Sequence, residues 1–344
     1  MGYEAAPVSK PRQILTLSAL TLLAYGNSFH VPFVFDDAAS IQRNAAVRFG
    51  QYVWHLSPRV VLFLTFTLNS VIGGQNVFGY HLVNFVLHLV NGILVLYLAR
   101  HIVPGAEFWA AALFLLHPIQ TESVTYISSR SELLSTTFYL LGVLAFIHWH
   151  RETWKCLAST GTCFLMALGT KETAITFPAA LLLYDWLFIG GVHRRWRFYA
   201  AWLIGGSLTA WYALRVALVA SVGNVAGVLP WRQYAMTEWR VIIRYIGLIV
   251  LPIHQNLDYD IRPSVDMDPW TLASLLVLAA LVGLAWAIRR DAPVITFAVL
   301  WFFVTLSATS SVVPIMDVMF EHRLYLPMMG VSIAFPMLFR RKSA

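Results

Sequence analysis

Long apolar runs separated by short basic clusters constrain this chain more than any other feature of its sequence. A helix that crosses a bilayer needs about 20 mainly apolar residues. Ten segments read as spans, at about 14–31, 80–99, 106–119, 131–149, 155–170, 173–190, 198–220, 268–288, 293–311 and 324–339. The expected fold is an all-α integral membrane protein, a polytopic helical bundle of about ten spans. Two more apolar stretches, 58–73 and 239–253, fit better as helices on the outer surface. The first is short and runs into Gly73-Gly74-Gln75-Asn76, and the second carries Arg240 and Arg244 one turn apart, which gives it a basic face.

Charge supports that count. With ten spans the inner side holds Arg100, Arg151 and Lys155, Arg194, Arg195 and Arg197, Arg289 and Arg290, and Arg340, Arg341 and Lys342. Both termini are then cytoplasmic. The outer face carries two large loops, about 32–79 and 221–267, and shorter ones at 119–131, 170–173 and 312–324. Most of the 17 carboxylates fall outside. Acidic residues orient helices weakly, so their concentration there calls for another reason, and a working site is one. The chain reads as one membrane domain over residues 1–344, with no repeat domain. A hydrophobic fraction of 58% with 12% charged residues excludes ordinary soluble usage. The net charge of +7 sits in loop clusters rather than in a basic domain, so nucleic acid is not an expected partner. Cys156 and Cys163 lie on one predicted helix and read as packing residues.

Four places combine charge with the outer membrane edge. Asp36-Asp37 follows the first span; such a pair offers a general base, or oxygen ligands for Mg²⁺ or Mn²⁺, and spacing does not decide between them. An N-cap for a helix from Ala38 is the simpler role for one of the two. The run from His117 to Val124, followed by Ser128 to Glu132, places Glu122, Arg130 and Glu132 near the interface. An internal Arg130–carboxylate pair and a phosphate fork on Arg130 are both open readings. Lys171-Glu172 occupies a very short connection, either as a local charge balance or as a lysine at the mouth of a cavity. Glu321-His322-Arg323 precedes the last span, where Arg323 and Tyr325 also suit plain interfacial anchoring. His81 and His88 lie seven apart on one helix, but no zinc spacing is present. His81 and Asn84 are expected to make polar contacts inside the bundle. The sequence has no Walker A loop, dinucleotide fingerprint or nucleophile elbow.

The run Phe78-Gly79-Tyr80-His81-Leu82-Val83-Asn84, the segment from His117 to Leu134, Lys171-Glu172 and Glu321 to Pro327 resemble, in order, the membrane half of the transmembrane and tetratricopeptide-repeat O-mannosyltransferases, in particular bacterial relatives. That resemblance implies a C-type glycosyltransferase fold and a polyprenyl-phosphate sugar as donor, with inversion at the sugar. It implies Asp36 or Asp37 as the base, Arg130, Lys171 and Arg323 as holders of the departing lipid phosphate, and Glu321 and His322 as positioning residues. Arg59, His81, Glu122, Glu132 and Glu172 complete the candidate substrate-binding set. No cofactor is implied beyond a divalent cation at the acidic pair. The family carries Arg-Pro-Leu at its first surface helix where this chain has Arg59-Val60-Val61. Family members continue into a further span and repeats, whereas this sequence stops at Ala344, which reads as a fragment or as a minimal form.

The expected activity is transfer of a monosaccharide, mannose by resemblance, to a protein or glycan hydroxyl. It would take place on the periplasmic or extracellular face of a bacterial inner membrane. Two other classes fit the same charges: a transporter or flippase of lipid-linked sugars, and a non-catalytic partner in envelope polysaccharide assembly. A site confined to one face favours the enzyme, because alternating access needs a site near the midplane.

Overall fold

A computed structural model describes residues 10–49, 59–193, 195–202, 205, 229–311, 314–315 and 317–339. Pro58, Arg194, most of the expected span at 198–220 and the basic run 340–342 lie outside the described residues.

The described residues are helical throughout, with no β-strand among them. In chain order they form α1 (Lys10–Tyr25), the one-turn α2 (Ala45–Arg48), α3 (Val60–Gly73), α4 (Val77–Ile102), α5 (Glu107–Leu116) and the short α6 (Thr121–Thr125). Next come α7 (Arg130–Trp149), α8 (Thr153–Leu168), α9 (Phe177–Tyr184), α10 (Trp231–Val250), α11 (Pro269–Ala287), α12 (Pro293–Leu306) and α13 (Pro327–Ala334). Local chemistry sets several of the ends. Gly74 takes φ 61° past the end of α3, a left-handed turn that glycine adopts without penalty. The Asn76 side chain then accepts the Phe78 N–H and caps α4. Asp268 caps α11 through the Thr271 N–H at 2.7 Å, with Pro269 at the first helical position.

Four helical stretches among the described residues are long and apolar enough to cross a membrane: Val77–Ile102, Ile127–Trp149, Glu172–Ile189 and Pro269–Ala287. The 26 residues of α4 alone reach about 39 Å, more than the hydrocarbon thickness. The other expected spans within the described residues also fall on helices, but shorter ones. Pro118 ends the α5 segment early, and the α13 segment begins at Pro327 and tightens into a 3₁₀ turn at Phe335–Phe339. Among the described residues, four helical stretches therefore have full spanning length. The two doubtful stretches are helices with one face exposed. α3 leaves Leu68, Val71 and Ile72 exposed, and α10 buries Tyr234, Val241, Ile242 and Tyr245 while exposing Arg240 and Arg244.

The main core is built where α4 meets α5 and α7, and α7 meets α8. Two glycines permit these approaches. A Cβ on Gly92 would lie 2.4 Å from Leu115, and one on Gly142 would lie 2.5 Å from Phe177. Polar ties fix the register inside this core. His88 donates to the Leu115 carbonyl at 3.0 Å and accepts from the Tyr325 hydroxyl at 2.8 Å. Asn91 donates to Leu133 O and accepts from Thr137. In lipid such bonds have no water to replace them, so each buried polar group needs a partner within the bundle. A second apolar cluster joins α10 to α11, α12 and residues 319–328. A third, small one (Ile41, Val47, Leu62, Phe66, Tyr80, Ile127) lies under the acidic loop.

Candidate functional site

The site is assembled at one end of the bundle, from the loop after α1, the start of α3, the start of α4, the α5–α7 connection, the α8–α9 connection and the turn before α13. Its foundation is Arg130, which is fully buried. The guanidinium donates to Asn84 Oδ1 at 2.8 Å, to the Tyr80 carbonyl at 3.0 Å and to Thr65 Oγ1 at 3.3 Å, and lies 4.6 Å above the Phe66 ring. Asn84 in turn reaches the Tyr126 and Ile127 carbonyls. Arg130 thus ties α3, α4 and the α6–α7 connection together. Three of its five N–H donors are spent on protein acceptors, and the side chain is sealed from the surface.

The acidic loop rests on this foundation, and its two carboxylates part company. Asp37 is 1% exposed, and it accepts hydrogen bonds from Val34 N–H at 3.1 Å, Ser128 N–H at 2.8 Å and Ser128 Oγ–H at 2.5 Å. Burial raises its pKa, and the Ser128 and Val34 bonds oppose that rise. Asp36 is exposed, and its backbone N–H donates to the Tyr126 hydroxyl at 3.1 Å. His81 Nε2 hydrogen-bonds the Val31 carbonyl at 2.9 Å, which fixes the start of the loop. Phe35 adopts φ 46°, a left-handed conformation that a bulky side chain holds only when its surroundings impose it. Neither aspartate makes a side-chain cap for the turn at Ala38–Gln42, so the N-cap reading of the pair does not hold. The pair is one latch and one exposed acid on an anchored backbone.

Several of the remaining candidates form a chain of buried ionisable groups. Lys171 pairs with Glu132, both largely buried. Glu132 lies 4.0 Å from His322 Nε2, and His322 Nδ1 bonds Glu122, which also accepts the His322 backbone N–H at 3.0 Å. Burial raises Glu122 to about 7. Burial, together with nearby Lys171, lowers His322 to about 3, so its imidazole is neutral at physiological pH. A neutral ring that donates through Nδ1 to Glu122 leaves Nε2 as an acceptor on the Glu132 side. Arg323 donates to the Asp317 and Val318 carbonyls and lies 4.0 Å from Glu238. Glu321 is held by Gln255 Nε2 at 2.6 Å, Asn256 N–H at 3.0 Å and the Tyr259 hydroxyl. Arg59 and Glu172 form a more exposed pair, with contacts of 3.1 and 2.5 Å.

Comparison with known proteins places this geometry in context. A protein O-mannosyl-transferase of Drosophila melanogaster (Tmtc1) is 37% identical over 186 residues, which cover 48% of this chain and 21% of the fly protein. One of Mus musculus (TMTC1) is 31% identical over 226 residues, 54% of this chain and 24% of the mouse protein. A third, of Caenorhabditis elegans, is 26% identical over 381 residues, covering 96% of this chain and 52% of the worm protein. The chain is similar to protein O-mannosyl-transferases. It spans about half the length of the worm relative and about a quarter or less of the other two. No family model matches it, and no solved structure does.

Within the acidic pair Asp37 is buried and accepts three hydrogen bonds, whereas Asp36 is exposed. Among the described residues, no three His, Cys, Asp or Glu side chains gather in a metal-binding group. Sequence reasoning missed Ser128, Tyr126, Glu238, Gln255 and Tyr259. Ser128 stood inside a quoted motif, but Tyr259 and Gln255 come from a loop whose place beside Glu321 no local pattern signals.

Proposed function

We propose that this chain is a membrane glycosyltransferase that moves a monosaccharide, mannose by likeness to its relatives, from a polyprenyl-phosphate carrier to a hydroxyl of an acceptor protein. The observation that carries the reading is the division of the acidic pair, with Asp37 locking the loop and Asp36 left exposed on a fixed backbone. Asp36 takes the proton from the acceptor hydroxyl as its oxygen attacks the anomeric carbon. The bond from that carbon to the phosphate oxygen breaks on the opposite face, and the lipid phosphate leaves with the bonding electrons. Negative charge grows on that phosphate, where Arg59, Lys171 and Arg323 supply positive field. A divalent cation, if used, would find Asp36 alone for a ligand, and no step above depends on one.

Other features support the lipid carrier and the sidedness. An apolar groove of about 800 Å³ runs along α5 from Gly105 and Trp109 to His117 and Pro118, with Phe335 and Phe339 on its other wall. Pro118 shares Gln255 with Glu321, so the groove ends beside the charged site. Basic loops favour the cytoplasm, which puts the site on the opposite face, periplasmic or extracellular in a bacterial cell.

The test is sugar transfer in proteoliposomes from a labelled polyprenyl-phosphate sugar to a serine- and threonine-bearing protein. Wild type is compared with Asp36→Asn. The expected outcome is a loss of about 10²- to 10⁴-fold, the usual range for a general base, with an unchanged melting temperature. Full transfer by Asp36→Asn would sink the assignment. Label crossing the bilayer still on its lipid, equally in both proteins, would replace the enzyme by a flippase.

A further inference from the structure

We infer that the face of α10 that carries Arg240 and Arg244 holds a phosphate-binding site, formed by these two arginines and Arg262. These three side chains, with Thr237, Asp260 and Ile261, line a cavity of about 270 Å³ between α10 and the loop after it. Arg240 and Arg244 lie one helical turn apart, so they project from the same face. The loop is fastened over them by two hydrogen bonds: Ser264 N–H donates to Thr237 Oγ1 at 2.8 Å, and Arg240 Nη1 donates to Ser264 Oγ at 3.2 Å. Among the described residues, the carboxylate in ion-pair range of these arginines is Asp268, 3.7 Å from Arg240. Three guanidinium groups around one small cavity, set against Asp260 at its wall and Asp268 beside Arg240, leave an excess of positive charge that suits a phosphate anion.

The rim points to the source of the anion. Val265, Met267 and Trp270 of the same loop and helix start are exposed, at 63%, 52% and 77%. Apolar and tryptophan side chains beside arginines are the pattern of a membrane interface. The ligand is a phosphate monoester or diester, and a lipid headgroup brings it to this depth. Arg244 also lies 4.6 Å over the ring of Tyr259, whose hydroxyl bonds Glu321, so an occupied cavity is one aromatic ring away from the charged site. The inference does not depend on the transferase reading, because it is read by binding.

The experiment uses the full chain in phosphatidylcholine nanodiscs. The thermal midpoint is followed while phosphatidic acid is introduced in one arm and inorganic phosphate in the other, because a ligand of the folded state raises the midpoint by mass action. Arg244→Gln/Arg262→Gln is the test variant. Arg289→Gln/Arg290→Gln, from a basic pair on the inner side, removes the same charge elsewhere. A rise with phosphatidic acid whose titration moves to about tenfold or higher concentration in the test variant alone supports a lipid phosphate site. The same dependence with inorganic phosphate supports the site with a soluble ligand. A rise in neither arm, or equal responses from the two variants, overturns it. Arg262→Gln alone, at an exposed loop position, serves if the double variant does not fold.

Discussion

The acidic loop and the turn before α13 lie at the same end of the molecule, yet they treat charge in opposite ways. The loop is tied down by hydrogen bonds at Val31, Val34 and Ser128, and it keeps one carboxylate exposed. The turn buries its polar groups and satisfies them internally: neutral His322 on Glu122, Lys171 on Glu132, and Arg323 on carbonyls near Glu238. Burial is the physical difference. A charge at the water edge can stay unpaired and remain available for chemistry, whereas one inside must be neutralised by a partner. The loop is where a proton can be taken up, and the turn is where a fixed field can be held.

That contrast can be broken or sharpened by substitution. The largest effect is expected at Asp36→Asn, where activity falls and stability does not, as above. Lys171→Met leaves Glu132 buried without its cation and should cost about 3–5 kcal/mol in chemical unfolding in detergent micelles; a change below about 1 kcal/mol would mean that the turn is wetter than its burial indicates.

Glu238 sharpens the comparison through pH. It is fully buried, and burial raises its pKa from 4.5 to about 7. A folded pKa above the unfolded one gives stability that is complete below about pH 4.5 and is lost as pH rises through about 7. Wild type should therefore lose up to about 3 kcal/mol relative to Glu238→Gln across that window. Parallel pH–stability curves for the two proteins would contradict a buried, strained carboxylate there.

Asp37→Asn keeps the shape of the latch but gives it an amide where Val34 and Ser128 both donate. About 1–3 kcal/mol should be lost, and transfer should fall partially, through the position of Asp36. A complete loss of transfer at full stability would make Asp37, and not Asp36, the base. The smallest effect belongs to Arg59→Ala, since its pair with Glu172 is exposed; about 0–1 kcal/mol is expected from a double-mutant cycle with Glu172→Ala.

Much of the helical frame was legible along the chain. The apolar runs marked the helices within a few residues, because a backbone in lipid must bond to itself and side-chain hydropathy has to follow. The end of α3 and the exposed basic face of α10 were also readable, from Gly73-Gly74 and from Arg240 and Arg244. The helices came out shorter than the apolar runs where proline cut them, at Pro118 and near Pro327, since average hydropathy is blind to where a helix stops.

What the sequence by itself determined was an all-helical chain with membrane-length apolar helices, and the short list of charged residues from which a candidate site is made. Hydropathy and charge are properties of each residue, so they survive without coordinates. What only the tertiary structure decided was the role of each charge. Asp36 and Asp37 are identical neighbours in sequence, and Arg130 and Arg59 are two arginines of the same candidate set. Their difference is set by partners brought from about 50 to 113 positions away, Ser128 for Asp37, Tyr80 for Arg130 and Glu172 for Arg59. Desolvation and hydrogen bonding depend on those distant neighbours, and no local pattern encodes them.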